Sequence, residues 1–84
     1  MSPLSDNPLL LYSYRVSSKD ITLRIYTHKL KLYGKLIIVT PFKKSLEFEI
    51  HAESSKAIIE YAKKALKNHD KSLYSVEFEE FNET

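Results

Sequence analysis

The chain of 84 residues has no cysteine, no tryptophan and a single glycine, Gly34. Without cysteine the chain forms neither a disulfide nor a thiolate metal site, and nothing points to an oxidising compartment. One glycine cannot build a glycine-rich phosphate-binding loop. Apolar runs such as Leu9–Leu11 are far shorter than the ~20 residues of a membrane-spanning helix. We therefore predict a cytoplasmic protein with no membrane, metal or cofactor.

The length of the chain predicts one small domain with a thin margin of stability. A domain of this size buries only about 60–65% of the surface of its unfolded chain. Small domains usually gain stability from disulfides, a metal or a partner subunit, and only the partner is left here. We expect a flexible lead-in over residues 1–8, a single domain over 9–81 and a tail over 82–84.

Charge is distributed unevenly although the net charge is only +2. Residues 1–45 contain eight Lys or Arg and two Asp, a balance of +6, whereas residues 46–84 contain five Lys and nine acids, a balance of −4. Such asymmetry is typical of a basic binding face. The alternative is that the two halves neutralise each other across a sheet.

Alternating apolar and polar residues predict four antiparallel strands joined as a meander. In this pattern Ile38 faces Leu46 and Lys35 faces Glu49, while Thr27 faces Leu30 across the preceding turn. Both pairings place the apolar residues on one face of the sheet. The four predicted strands begin near Tyr12, Ile21, Leu30 and Leu46.

A helix and a fifth strand follow the meander. Ser54 or Ser55 can cap the helix, which we expect to end near Asn68. The helix has one apolar stripe, formed by Ala57, Ile58, Tyr61, Ala62, Ala65 and Leu66. Tyr74, Val76 and Phe78 alternate with polar residues and predict the C-terminal strand. The fold class is therefore α+β, ββββαβ, in two layers with one helix on one face.

One helix is too narrow for such a sheet. Five strands ~4.8 Å apart span about 20 Å, whereas a helix is ~10 Å across. We therefore expect part of the apolar face to be exposed. The exposed residues should be several of Tyr12, Tyr14, Ile21, Leu23, Leu46 and Phe78. Either the sheet curls tightly around the helix, or a second chain covers this surface. We expect a homodimer or another protein partner, and the predicted interface residues are Tyr12, Tyr14, Phe42 and Phe78.

The opposite face of the sheet combines basic and aromatic side chains. These residues are Arg24, Tyr26, Lys31, Tyr33 and Lys35. Rings that stack on bases and cations that neutralise phosphate are typical of single-stranded DNA or RNA binding. The alternative is an ordinary solvated face with cross-strand packing and ion pairs.

No residue pattern indicates catalysis. Glu47, Glu49, His51 and Glu53 fall on one side of a strand, but neighbours there lie ~6.7 Å apart, too far to share a metal ion comfortably. No spacing of Ser, His and acids predicts a catalytic site. We therefore predict a protein that is not an enzyme and has no small-molecule substrate.

The segment Leu46–Ile58, LEFEIHAESSKAI, resembles one in the small Pcc-type dimerisation subunits of the KEOPS tRNA-modification complex. There a strand leads through an Ala-Asp/Glu-Ser-Ser turn into an amphipathic helix. The resemblance implies a non-catalytic accessory subunit that dimerises through its sheet and helix. The chain departs from that family where residues 20–27 predict a strand instead of a helix. The leading hypothesis is a non-catalytic protein-interaction module: a dimerising adaptor, complex subunit or small protein inhibitor.

Overall fold

Five antiparallel strands form one sheet, and a single helix packs on one of its faces. The computed structural model describes residues 7–16, 20–39, 42, 44–73 and 75–82. The elements are β1 (Leu9–Val16), β2 (Ile21–His28), β3 (Lys31–Val39), β4 (Ser45–His51), α1 (Ser55–His69), a 3₁₀ helix (Lys71–Leu73) and β5 (Glu79–Glu80). The strand order is β4-β3-β2-β1-β5. This architecture confirms the predicted ββββαβ fold, and no helix within the described ranges has the length and apolar content to cross a membrane.

Both ends of the described chain lie close to strand β1. Strand β1 begins at Leu9, and most of the predicted lead-in, residues 1–6, lies outside the described residues. At the other end Phe81 donates its backbone N–H to the Ser13 carbonyl at 2.9 Å. The Arg15 guanidinium lies 5.2 Å from the centre of the Phe81 ring. The end of the described chain is thus held along β1.

The pairing of the strands confirms one predicted register and corrects the other. Between β3 and β4, Ile38 pairs with Leu46 and Lys35 with Glu49, as predicted. Between β2 and β3, Thr27 pairs with Leu32, so the predicted pairing with Leu30 is wrong by two residues. A shift of two residues returns each side chain to the same face, and the predicted apolar face is therefore unchanged apart from Leu30.

The cause of that shift is a two-residue turn at Lys29 and Leu30. Both residues have positive φ, 53° and 66°, which is the pattern of a type I′ hairpin turn. Such turns normally use Asn or Gly, because a side chain in this conformation crowds the backbone. The sequence lacks that signal, and Leu30, predicted to join the apolar face, is instead fully exposed at the hairpin tip.

Helix α1 lies over β2, β3 and β4. The Ser54 hydroxyl accepts a hydrogen bond from the Ala57 N–H at 3.2 Å, which confirms the predicted cap. Ile58, Ala62 and Leu66 are completely buried and face the sheet. Tyr61, predicted to be in the apolar stripe, is half exposed, and Ile59 packs against the core instead.

The one glycine lies directly beneath the helix. A Cβ atom at Gly34 would lie 2.5 Å from Cγ2 of Ile58 and 3.3 Å from Cδ1 of Leu23. Real carbon atoms do not approach that closely, so a side chain at Gly34 would push the helix outward. Gly34 therefore allows the two layers to come into close contact.

The segment after the helix adds cover that the sequence argument did not include. Leu73 is buried, and Val76 and Phe78 pack against the core. Because of this cover and the helix, Ile21 and Leu23 are buried, contrary to the expectation that they are among the exposed residues. The segment is mostly irregular, and β5 has only two residues, so the predicted strand is wrong in its length. Tyr74, the first residue of that predicted strand, lies outside the described residues.

Candidate interaction surfaces

The five residues predicted to bind nucleic acid lie together on the sheet face opposite α1, here called the outer face. Arg24 pairs with Lys35 and Tyr26 pairs with Tyr33 across β2 and β3, with Lys31 beyond them on β3. Alternation along each strand places all five side chains on the same side. The structure therefore brings together the complete predicted set.

Three rings form a stacked row across the outer face. Tyr26 and Tyr33 have ring centres 5.3 Å apart with planes inclined by 16°, and Tyr33 and His51 have centres 5.8 Å apart with planes inclined by 27°. We call Tyr26, Tyr33 and His51 the aromatic row. Sequence reasoning assigned His51 only to the acidic side of β4. The signal that could have found it was the predicted Lys35–Glu49 pairing, which places His51 opposite Tyr33.

Carboxylates of β4 neutralise part of the basic character of the outer face. Nζ of Lys35 lies 3.7 Å from Oε2 of Glu47, which is two residues along β4 from Glu49, the register partner of Lys35. Nε2 of His51 lies 2.7 Å from Oε2 of Glu49. The described residues contain no cluster of three His, Cys, Asp or Glu side chains able to hold a metal ion. The outer face thus carries both cations and acids.

Two open grooves meet beside the aromatic row. One has a volume of about 290 Å³ and the other about 590 Å³. The first is lined by His28, Lys31, Tyr33, Lys35, Glu49 and His51. The second is lined by Leu30, Lys31, Leu32, His51, Ala52 and Glu53. Lys31 and His51 line both grooves, so these two side chains are placed to contact any molecule that occupies either one.

A second surface lies at the start of β1. Leu9, Leu10, Leu11 and Tyr12 are between 40% and 65% exposed, and we call them the β1 strip. The strand irregularity between Leu10 and Tyr12 makes Leu11 an extra residue with no partner on β2. Sequence reasoning used the leucine run only to exclude a membrane span. The signal it overlooked was that this run interrupts the alternation of β1.

The outward edge of the β1 strip has no neighbouring strand in the described part of the chain. Strand β5 pairs with β1 only at Tyr14 and Arg15, and the hydrogen bond to the Ser13 carbonyl ends this contact. Backbone N–H and C=O groups of an open edge are able to pair with another strand. The strip therefore combines exposed apolar side chains with an open edge.

The structure separates the four residues that were predicted as a partner interface. Tyr12 lies in the β1 strip, and Phe42 is largely exposed in the loop between β3 and β4. Tyr14 and Phe78 are half-buried and pack against the core. Burial raises the pKa of the Tyr14 hydroxyl, and the charges of Glu80 and Tyr12 raise it further. Only Tyr12 therefore lies on the apolar open edge.

A comparison of the chain with protein families, with curated proteins and with solved structures finds no match. The resemblance of residues 46–58 to KEOPS subunits thus stays a prediction. The geometry of the two surfaces is therefore the evidence for a function.

Proposed function

We propose that this protein is a non-catalytic protein-interaction module that dimerises through the β1 strip. The observation that carries the proposal is the coincidence of four exposed apolar residues with an open strand edge. Two copies paired along this edge form one continuous sheet. Their leucines then leave water, a change worth about 25 cal/mol per Å² of apolar surface.

The distribution of charge favours a second copy of the chain as the occupant of this edge. In a symmetric antiparallel pair, each side chain of the strip lies beside side chains of the same strip. The strip has no charged residue, so pairing brings no like charges together. The opposite edge of the sheet, β4, carries Glu47 and Glu49, and self-pairing there would bring carboxylates together.

The same dimer fits the adaptor or complex-subunit role predicted from the sequence. Pairing through one edge leaves α1, the outer face and Phe42 available for other contacts. Because the strip is four residues long, we expect a small interface and an affinity in about the micromolar range.

Light scattering after size-exclusion chromatography tests the proposal over a range from low micromolar to near-millimolar protein. We expect a shift from the monomer mass of 9.8 kDa to twice that mass. Leu11→Glu places a charge in the strip without altering a β1–β2 pair, and this variant should stay monomeric. The matched control is Leu46→Glu on the β4 edge, where exposure is similar, 37% against 45%, and dimerisation should persist.

Cross-linking supplies a second readout, since the chain has no cysteine of its own. Under mild oxidation, Leu11→Cys should give a covalent dimer, whereas Leu46→Cys should stay largely monomeric. A wild-type protein that is monomeric over the whole range contradicts the proposal. A dimer broken by Leu46→Glu but not by Leu11→Glu contradicts it as well, because that result places the interface on β4.

A further inference from the structure

We propose that the outer face binds single-stranded nucleic acid, with one unpaired base stacked on the open side of the His51 ring. The surface and the ligand both differ from those of the proposed dimer. The aromatic row ends at the edge of the sheet. Tyr26 and Tyr33 occupy adjacent strands and face each other, while His51 lies on β4, the last strand of the sheet.

The far side of the His51 ring is open to a ligand. No strand follows β4 on that side among the described residues, and the His51 side chain is 64% exposed. One side of the ring stacks on Tyr33, and its Nε2 contacts Glu49 at 2.7 Å. These two contacts hold the imidazole in place, so a base can extend the aromatic row as its next ring.

The charges beside the row indicate where the phosphate backbone lies. Lys31 is exposed, lines both grooves and makes no ion pair with any residue that the structure describes. Glu47 and Glu49 lie on the other side of the row from Lys31, as the strand register requires, whereas a single carboxylate, Glu53, lines the groove beside Lys31. Carboxylates repel phosphate, and fewer of them lie on the Lys31 side, so the backbone should run on that side, toward the hairpin tip.

The open end of a ring stack selects single strands over duplexes. A base in a duplex is stacked and paired within its own helix, whereas an unpaired base is free to stack on a side chain. Every base has an aromatic face, so this contact tolerates any sequence. The ligand class is therefore single-stranded DNA or RNA with little sequence preference.

Fluorescence anisotropy with labelled oligo-dT, oligo-U and a duplex of the same length tests the proposal at about 50 mM and 200 mM salt. We expect the single strands to bind more tightly than the duplex and to bind more weakly at the higher salt. Lys31→Glu should weaken binding at least about tenfold and lower the salt slope by more than about one. Lys64→Glu makes the same charge change on α1, on the other side of the molecule, and should bind like the wild type.

A pair of variants isolates the stacking contact. His51→Ala and His51→Phe both remove the bond to Glu49, but only the second keeps a ring. We expect His51→Ala to bind at least about fivefold more weakly than His51→Phe, with circular dichroism confirming that both are folded. Equal binding by these two variants overturns the proposal. Three other results would also overturn it. The wild type does not bind at low salt, the duplex binds as tightly as the single strands, or Lys64→Glu weakens binding as much as Lys31→Glu does.

Discussion

The centre of the sheet and the β1 strip contain the same kind of residue in opposite environments. Leu23 and Leu36, beneath α1, are completely inaccessible to water, whereas Leu9, Leu10 and Leu11 are 65%, 43% and 45% exposed. All five belong to strands of one sheet. A strand leucine in this protein is thus buried where it lies close to the helix and exposed where it lies far from it. The residue type alone does not determine its burial.

The physical reason is the width of the two layers. A helix covers about 10 Å. Here it lies over β2, β3 and β4, and the absence of a side chain at Gly34 allows a close approach. Leu73, Val76 and Phe78 extend the cover. Neither element reaches the start of β1, so its leucines stay exposed.

The largest difference between the two regions is expected when one leucine in each is truncated. Leu36→Ala should lower the free energy of unfolding by about 2–5 kcal/mol, because it leaves a cavity beneath the helix. Leu10→Ala should change it by less than about 1 kcal/mol at protein concentrations where the chain is monomeric. Urea denaturation of both variants measures the difference, and similar losses would show that the strip is covered within the monomer.

A smaller effect distinguishes two kinds of exposed leucine. Leu30 is exposed because it occupies a strained hairpin turn with φ of 66°, and glycine adopts that conformation without a steric penalty. We expect Leu30→Gly to raise the free energy of unfolding by about 1 kcal/mol and to leave dimerisation unchanged.

Leu11→Gly is the matched substitution in the β1 strip. It should weaken dimerisation without stabilising the monomer, since Leu11 is not in the turn. Thermal unfolding combined with light scattering compares the two variants. A loss of the dimer in Leu30→Gly would mean that the hairpin tip takes part in the interface.

The smallest effect is expected at Tyr14, on the boundary between the two regions. Because burial and neighbouring charges raise the pKa of this hydroxyl above about 10, the folded protein holds the proton more tightly than the unfolded chain does. This contribution to stability is complete below about pH 10 and is lost as pH rises through the folded-state pKa. Tyr14→Phe cannot ionise, so its free energy of unfolding should fall less steeply at alkaline pH.

Urea denaturation at about neutral pH and at about pH 11 measures that slope. The wild type should lose more stability than Tyr14→Phe between the two conditions. If the wild type and Tyr14→Phe lose the same stability between the two pH values, the alkaline effect does not come from Tyr14.

Much of the fold and the outer face could be predicted from periodicity. Alternation placed Arg24, Tyr26 and Lys35 on one side of the sheet, and a turn beginning with Thr40-Pro41 led to the correct β3–β4 register. The β2–β3 register could not be predicted, because Lys29 and Leu30 carry no turn signal. The β1 strip was also missed, because its only signal in the sequence is that the leucine run interrupts the alternation of β1.

The sequence by itself determined the order of the elements, the two faces of each strand and the capped helix, because these depend on residues a few positions apart. Only the tertiary structure decided which apolar residues are covered, how His51 joins the aromatic row and where the sheet ends in an open edge. Those outcomes depend on where α1 and the segment after it lie across the strands. That placement results from contacts, such as Gly34 beneath Ile58, between residues far apart in the chain.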